Sequence, residues 1–213
     1  MRVLVACEYS GTVRDAFIAR GHYAMSCDLL PTDAPGPHHQ GDVNEILGDG
    51  WDLLIAHPPC THLAVSGAAW FPEKRLDGRQ REGIDFFMRM VNAPIPHICV
   101  ENPVCIMSSV YREPDQIIHP WQFGHETMKT TCLWLKGLKT LRPTNVVSRG
   151  EIITHDSGKR SSRWLVDTFK LKPSERWKVR SKTFQGIADA MADQWSRPTA
   201  FLPTYTQTEL ELR

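Results

Sequence analysis

A cysteine fixed behind two prolines is the residue in this sequence best placed for covalent chemistry. In Ala56-His57-Pro58-Pro59-Cys60-Thr61-His62, the consecutive prolines set the backbone and remove two N–H donors directly after an apolar run. A thiol held there is presented over a cleft. Where nearby amides, His57 or His62 favour the thiolate, it becomes a nucleophile. Plainer roles fit too: free cysteines commonly fill space in cores, and both histidines can simply pack the loop. His57, Cys60 and His62 could also ligate zinc, but no further ligand pair stands at a zinc-site spacing, so no metal is expected. Glu101 follows the apolar Ile98-Cys99-Val100 and precedes Asn102-Pro103. A partly desolvated carboxyl there can share a proton with a substrate nitrogen, or cap the next helix. A third group, Cys7-Glu8-Tyr9-Ser10-Gly11, joins an apolar run to a helical pattern, where a glycine allows close backbone approach and a helix N-terminus favours anionic groups. With Gly11 alone, the Gly-x-Gly-x-x-Gly phosphate fingerprint is absent. That counts against a dinucleotide and leaves cofactors without phosphates open. Asp28 ends a second apolar run, where a carboxylate accepts bonds from ribose hydroxyls; Asp-Leu-Leu-Pro is equally an ordinary turn.

The elements that must position these residues follow from periodicity. Strands are expected over 2–7, 22–27, 52–56, 98–100 and 131–135, and helices over 12–20, 79–91 and 186–195, from short apolar runs and from i, i+3, i+4 spacing. Alternation of the two predicts an α/β protein with a mainly parallel sheet. In such sheets ligands sit at the carboxyl ends of strands, where Glu8, Asp28, Asp42, Cys60 and Glu101 fall. Residues 142–182 lack clear periodicity and are read as a short, basic, loop-rich insertion in a single domain. The tail from Pro198 to Arg213 is read as peripheral.

The chain has 213 residues, 41% hydrophobic and 23% charged, enough for one ordinary globular domain with a real core. No apolar run approaches the roughly 20 residues of a membrane span, and the apolar opening is too short for a secretory signal. Six scattered cysteines without a Cys-x-x-Cys pair read as reduced thiols of a cytoplasmic protein. The net charge of +1 hides an asymmetry: residues 129–182 hold 14 basic and 4 acidic side chains, the remainder 11 and 20. A basic stretch that also carries Trp164, Phe169 and Trp177 fits a polyanion-facing surface, or equally a solvated face with its aromatics inside.

Taken together, these motifs resemble the cytosine-C5 DNA methyltransferase family, in the compact form carried by phages and prophages. The resemblance runs from about Val3 to Met191. Val3 to Phe17 is similar to the family's first cofactor motif, Gly41-Asp42-Val43 to its adenine-contacting position, and Ala56 to Gly67 to its Pro-Pro-Cys nucleophile loop. Glu101-Asn102-Pro103 is similar to its Glu-Asn-Val motif, and Ser181 to Ala192 to its last motif. The resemblance implies a Rossmann-like methyltransferase fold with helices on both faces of the sheet, S-adenosylmethionine as cofactor, and cytosine in DNA as substrate. Cys60 would attack cytosine C6 while Glu101 assists at N3. Cys7, Glu8, Ser10, Gly11, Asp28, Leu29, Asp42, Val43, His57 and Pro58 would contact the cofactor. Pro59, Ser66, Asn102, Lys129, Arg163 and Arg180 would contact the substrate. For a phage-borne copy the compartment would be the host cytoplasm. The large target-recognition domain of the family is missing, and only a short basic segment stands between Trp134 and Ser181. RNA or a pyrimidine nucleotide therefore remain alternative substrates. A protein partner could supply recognition, and a degenerate fold serving as a nucleic-acid-binding or regulatory module is the third alternative.

Overall fold

The structure is a computed structural model that describes residues 1–196; the tail from Pro198 to Arg213 lies outside the described residues. In chain order the elements of the main sheet and its helices are β1 (Arg2–Ala6), α1 (Thr12–Ile18), β2 (Tyr23–Asp28), β3 (His38–Gln40), β4 (Leu53–Ala56), α2 (Phe71–Leu76), α3 (Arg79–Val91), β5 (His97–Asn102), α4 (Met107–Val110), β6 (Gln116–Ile118) and β7 (Thr131–Lys136). They are followed by β8 (Ile152–Thr154), β9 (Arg160–Ser162), α5 (Arg163–Thr168), α6 (Pro173–Ser181) and α7 (Gln185–Trp195).

Seven strands form one sheet in the order β3-β2-β1-β4-β5-β7-β6. The first five pair in parallel, while β7 runs antiparallel between β5 and β6. Alternation along β1 feeds two cores. Val3 and Val5 pack with Val13, Phe17, Ile187 and Met191 of α1 and α7 on one face. Leu4 and Ala6 pack with Phe87, Met90 and Trp134 on the other, the side of α3. The Phe87 and Trp134 rings meet edge-on at 5.1 Å. Both faces of the central strands are covered, which is why those strands read as continuous apolar runs. This is the doubly wound, Rossmann-like α/β architecture. The chain leaves β1 for β2 and β3 on one side and returns to β4 on the other, so a crevice opens beyond the carboxyl ends of β1 and β4.

Three expectations need correction. Residues 142–182 are loop only in part: 142–151 form no helix or strand, but the β8–β9 hairpin and two helices follow. α6 buries none of its residues, so it carries no apolar stripe for periodicity to detect. Glu101 does not follow its strand but lies within it, since β5 continues to Asn102. Gly11, at φ +74, was expected to bring backbone close to a ligand. Its missing Cβ instead admits Arg14, whose Nη2 lies 2.4 Å from where a Cβ would stand. Arg14 is fully buried and donates to Ala34 O and Pro35 O, both at 3.1 Å, and to Ser26 Oγ. It thereby holds the loop after β2.

Candidate active site

The floor of the crevice is built by three strand ends. After β1 the chain turns at Cys7, the one non-glycine residue with positive φ (58°) among those described; such strain is characteristic of functional turns. Glu8 then folds its carboxylate over the start of α1, accepting from the amides of Val13 at 2.7 Å and Arg14 at 3.2 Å and from the Ser10 hydroxyl. Burial raises its pKa, against the opposing pull of His57 and those amides. At the end of β2, Asp28 Oδ1 accepts from the Leu30 amide at 3.0 Å.

The chemistry-bearing residues come from β4 and β5. The His57 amide donates to Ala6 O at 2.9 Å, which carries the strand pairing one step beyond β4. Pro58 O accepts from Asn102 Nδ2 at 2.8 Å, and Thr61 O from Lys74 Nζ at 2.7 Å. Leu63 and Ala64 amides both close on Cys60 O. The loop around Cys60 is thus braced from three sides. His57 Nδ1 meets Glu101 Oε2 at 3.2 Å, and its Nε2 is buried with no partner among the described residues. Burial pushes the Glu101 pKa up, but the His57 hydrogen bond and the charges of Lys129 and His57 outweigh it, and the net value lies below the ordinary glutamate range. The Cys60 thiol moves the opposite way. Burial and then the Glu101 charge raise it, against its own backbone amide, Lys129 and Arg180. At rest the pair is therefore a carboxylate beside a thiol.

The roof comes from the segment after β7. Tyr9 donates from its hydroxyl to Lys178 O at 2.9 Å and stacks at a tilt on Trp177, with ring centroids 5.6 Å apart. Lys182 pairs with Asp33 at 2.8 Å, and Lys129 Nζ donates to Arg180 O at 3.1 Å. α6 is thereby drawn over the floor, and an open-mouthed cavity of about 1120 Å³ lies between them.

Twelve of the residues singled out in the sequence line this cavity: Cys7, Glu8, Ser10, Asp28, His57, Pro58, Pro59, Cys60, Glu101, Asn102, Lys129 and Arg180. Six do not. Gly11 serves Arg14 as described. Leu29 is 75% exposed, Asp42 caps the turn at residues 43–45 by accepting from the Asn44 amide, and Val43 is buried in the core. Ser66 lies in the exposed turn before α2. Arg163 points to an ion pair with Glu151 at 2.7 Å. The sequence reading missed Tyr9, Arg149, Arg160, Trp164, Arg176 and Trp177 as walls of the same cavity. For all but Tyr9 the signal was the basic, aromatic stretch, which does not by itself show what it faces; Tyr9 stands in the turn after the first strand, between Glu8 and Ser10. His62 does not line the cavity. Among the described residues no three His, Cys, Asp or Glu side chains converge as a metal-sized group, and no helix is long and apolar enough to cross a membrane. All six cysteines are free.

No family model matches the chain, and no curated protein matches it. Among solved structures, it is similar to the methyltransferase EhMeth of Entamoeba histolytica, with 12% identity and a TM-score of 0.48, over 72% of this chain and 58% of that one. The chain thus spans less than two thirds of that protein's length. At this level of likeness the fold rests on the strand order described above.

Proposed function

We propose that the protein is an S-adenosylmethionine-dependent methyltransferase acting on C5 of cytosine in DNA, with Cys60 as nucleophile. The observation that carries this reading is the pairing, on one cavity, of a proline-braced Cys60 thiol with a Glu101 carboxylate at adjacent strand ends. The floor fits the cofactor: it carries Glu8 and Asp28, whose carboxyl groups suit a sulfonium and a ribose, and His57, whose buried Nε2 has no partner among the described residues. Cys7, Glu8, Ser10, Asp28, His57 and Pro58 would hold it. When bound, it supplies an electrophilic methyl group.

Cytosine C5 is a poor nucleophile while the ring stays conjugated. Cys60 Sγ adds to C6 as its thiol proton leaves. Glu101, ionised at rest, takes that proton and holds it against N3, where charge develops. C5 becomes enamine-like and takes up the methyl group. A base then removes the C5 proton, the N3 proton returns through Glu101, and Cys60 is expelled as a thiol. Lys129 and Arg180 lower the cost of the thiolate during the attack. Asn102 holds the Pro58 carbonyl and so fixes the loop from which Cys60 acts.

Transfer of labelled methyl from S-adenosylmethionine to a panel of duplex DNA, single-stranded DNA, RNA and dCMP tests this reading, with Cys60→Ala alongside. Label at cytosine C5 of DNA that disappears in the variant supports it. Label in RNA or dCMP alone moves the substrate. Cofactor binding without transfer to any member leaves a binding module.

A further inference from the structure

We propose that the roof of the cavity is a phosphate-binding site for single-stranded polynucleotide. The chemistry after binding rests on the methyltransferase reading of the floor; the binding does not. Five cations line the cavity: Lys129, Arg149, Arg160, Arg176 and Arg180. Among the described residues none of the five forms an ion pair, whereas Arg79, Arg112, Arg163 and Lys170 elsewhere each have a carboxylate within 4.0 Å. The floor opposite presents Glu8, Asp28 and Glu101. One cavity is thus divided by charge, with carboxyl groups on the strand ends and, at Lys129 and on the segment after β7, cations that have no carboxylate partner among the described residues. A ligand with an anionic backbone on one side and a neutral base on the other matches that division.

The roof also offers ring faces. Trp164 and Trp177 line the cavity, and Trp177 remains 44% exposed. Outside the cavity Phe169 is 56% exposed, with the Arg176 and Arg180 guanidinium groups 5.1 and 5.7 Å from its ring centre. The same segment carries two further exposed cations, Lys172 and Lys178. A single nucleotide needs only one phosphate contact. Stacking surfaces and cations that run from inside the cavity to its exterior suit a strand whose neighbouring bases are unpaired. A duplex would have to be read by an element set into a groove. α6, the longest helix of the insertion, is instead held down on Tyr9.

The test uses the full chain and fluorescently labelled 20-mers of one cytosine-containing sequence, as single strand and as duplex, with dCMP as competitor, over a range of salt. The single strand should bind at least tenfold more tightly than the duplex, and millimolar dCMP should not displace it. In the variant Arg149→Gln/Arg160→Gln, both side chains exposed, the salt slope should fall by about 1.4, since each lost phosphate contact removes about 0.7 on a single strand. Equal or tighter binding of duplex, an unchanged slope in the variant, or full displacement by dCMP would each overturn the inference. Salt-dependent single-strand binding without label at C5 would support this inference while removing the methyltransferase reading. Label at C5 in duplex and single strand alike would do the reverse.

Discussion

The carboxylate that assists Cys60 also restrains it. The Glu101 charge is, after burial, the main influence holding the thiol up, so the resting cysteine is protected until a substrate engages Glu101. In Glu101→Gln that charge is gone, and the sign is fixed: the Cys60 pKa falls. Iodoacetamide alkylation of Cys60 should reach half its maximal rate at a lower pH than in the parent, while methyl transfer drops about 100-fold or more because N3 loses its proton partner. His57 acts from the other side. Its hydrogen bond is the largest influence pulling Glu101 down against burial, so in His57→Leu the carboxyl pKa rises and the acid limb of the pH–rate profile should move to higher pH. An unmoved limb would show that His57 only packs. Cys60 and Glu101 were legible in the sequence because each stands just past an apolar run, within two residues of a proline. The His57–Glu101 bond was not, since it joins residues 44 positions apart on neighbouring strands.

Each element was legible to the degree that it has a core to face. α3 was read to its residue limits because Phe87, Met90 and Val91 are buried along one side. α6 was invisible because it closes a cavity and buries nothing, and β3 and β6, three residues each on the sheet edges, are too short for an alternation to register. Arg14 was placed in the first helix without a role, yet it organises the loop that carries Leu30 to the cavity wall. Replacing it with methionine keeps much of the buried volume but orphans the carbonyls of Ala34 and Pro35. Arg14→Met should lower stability by about 1–3 kcal/mol, read as a lower urea midpoint at unchanged slope. A midpoint equal to the parent's would show that the carbonyls find other donors.

For the whole molecule, a net charge of +1 conceals a basic segment folded over an acidic remainder. The count along the chain showed the imbalance, but only the fold shows that Glu8, Asp28 and Glu101 share a cavity with five cations, all from the basic segment. α6 is held in this arrangement by Tyr9, by Lys129 and by the Asp33–Lys182 pair, and not by a core. Exposed ion pairs contribute little, so the Tyr9 hydroxyl is the stronger tie. Loss of one neutral hydrogen bond, about 0.5–1.5 kcal/mol, should speed amide exchange in α6 by about 2- to 10-fold in Tyr9→Phe and leave α3 unaffected. Exchange that speeds equally in both helices would mean that Tyr9 supports the whole fold and not the roof.

The covalent role of Cys60 is the central claim, and trapping tests it most directly. A single-stranded oligonucleotide carrying 5-fluorocytosine offers no C5 proton to remove, so an adduct that forms cannot resolve. With S-adenosylmethionine present, a denaturation-resistant complex should form, and mass spectrometry of its peptides should place the methylated base on Cys60, with nothing formed by Cys60→Ala. Cofactor binding without any covalent complex, or attachment at another residue, would contradict the account.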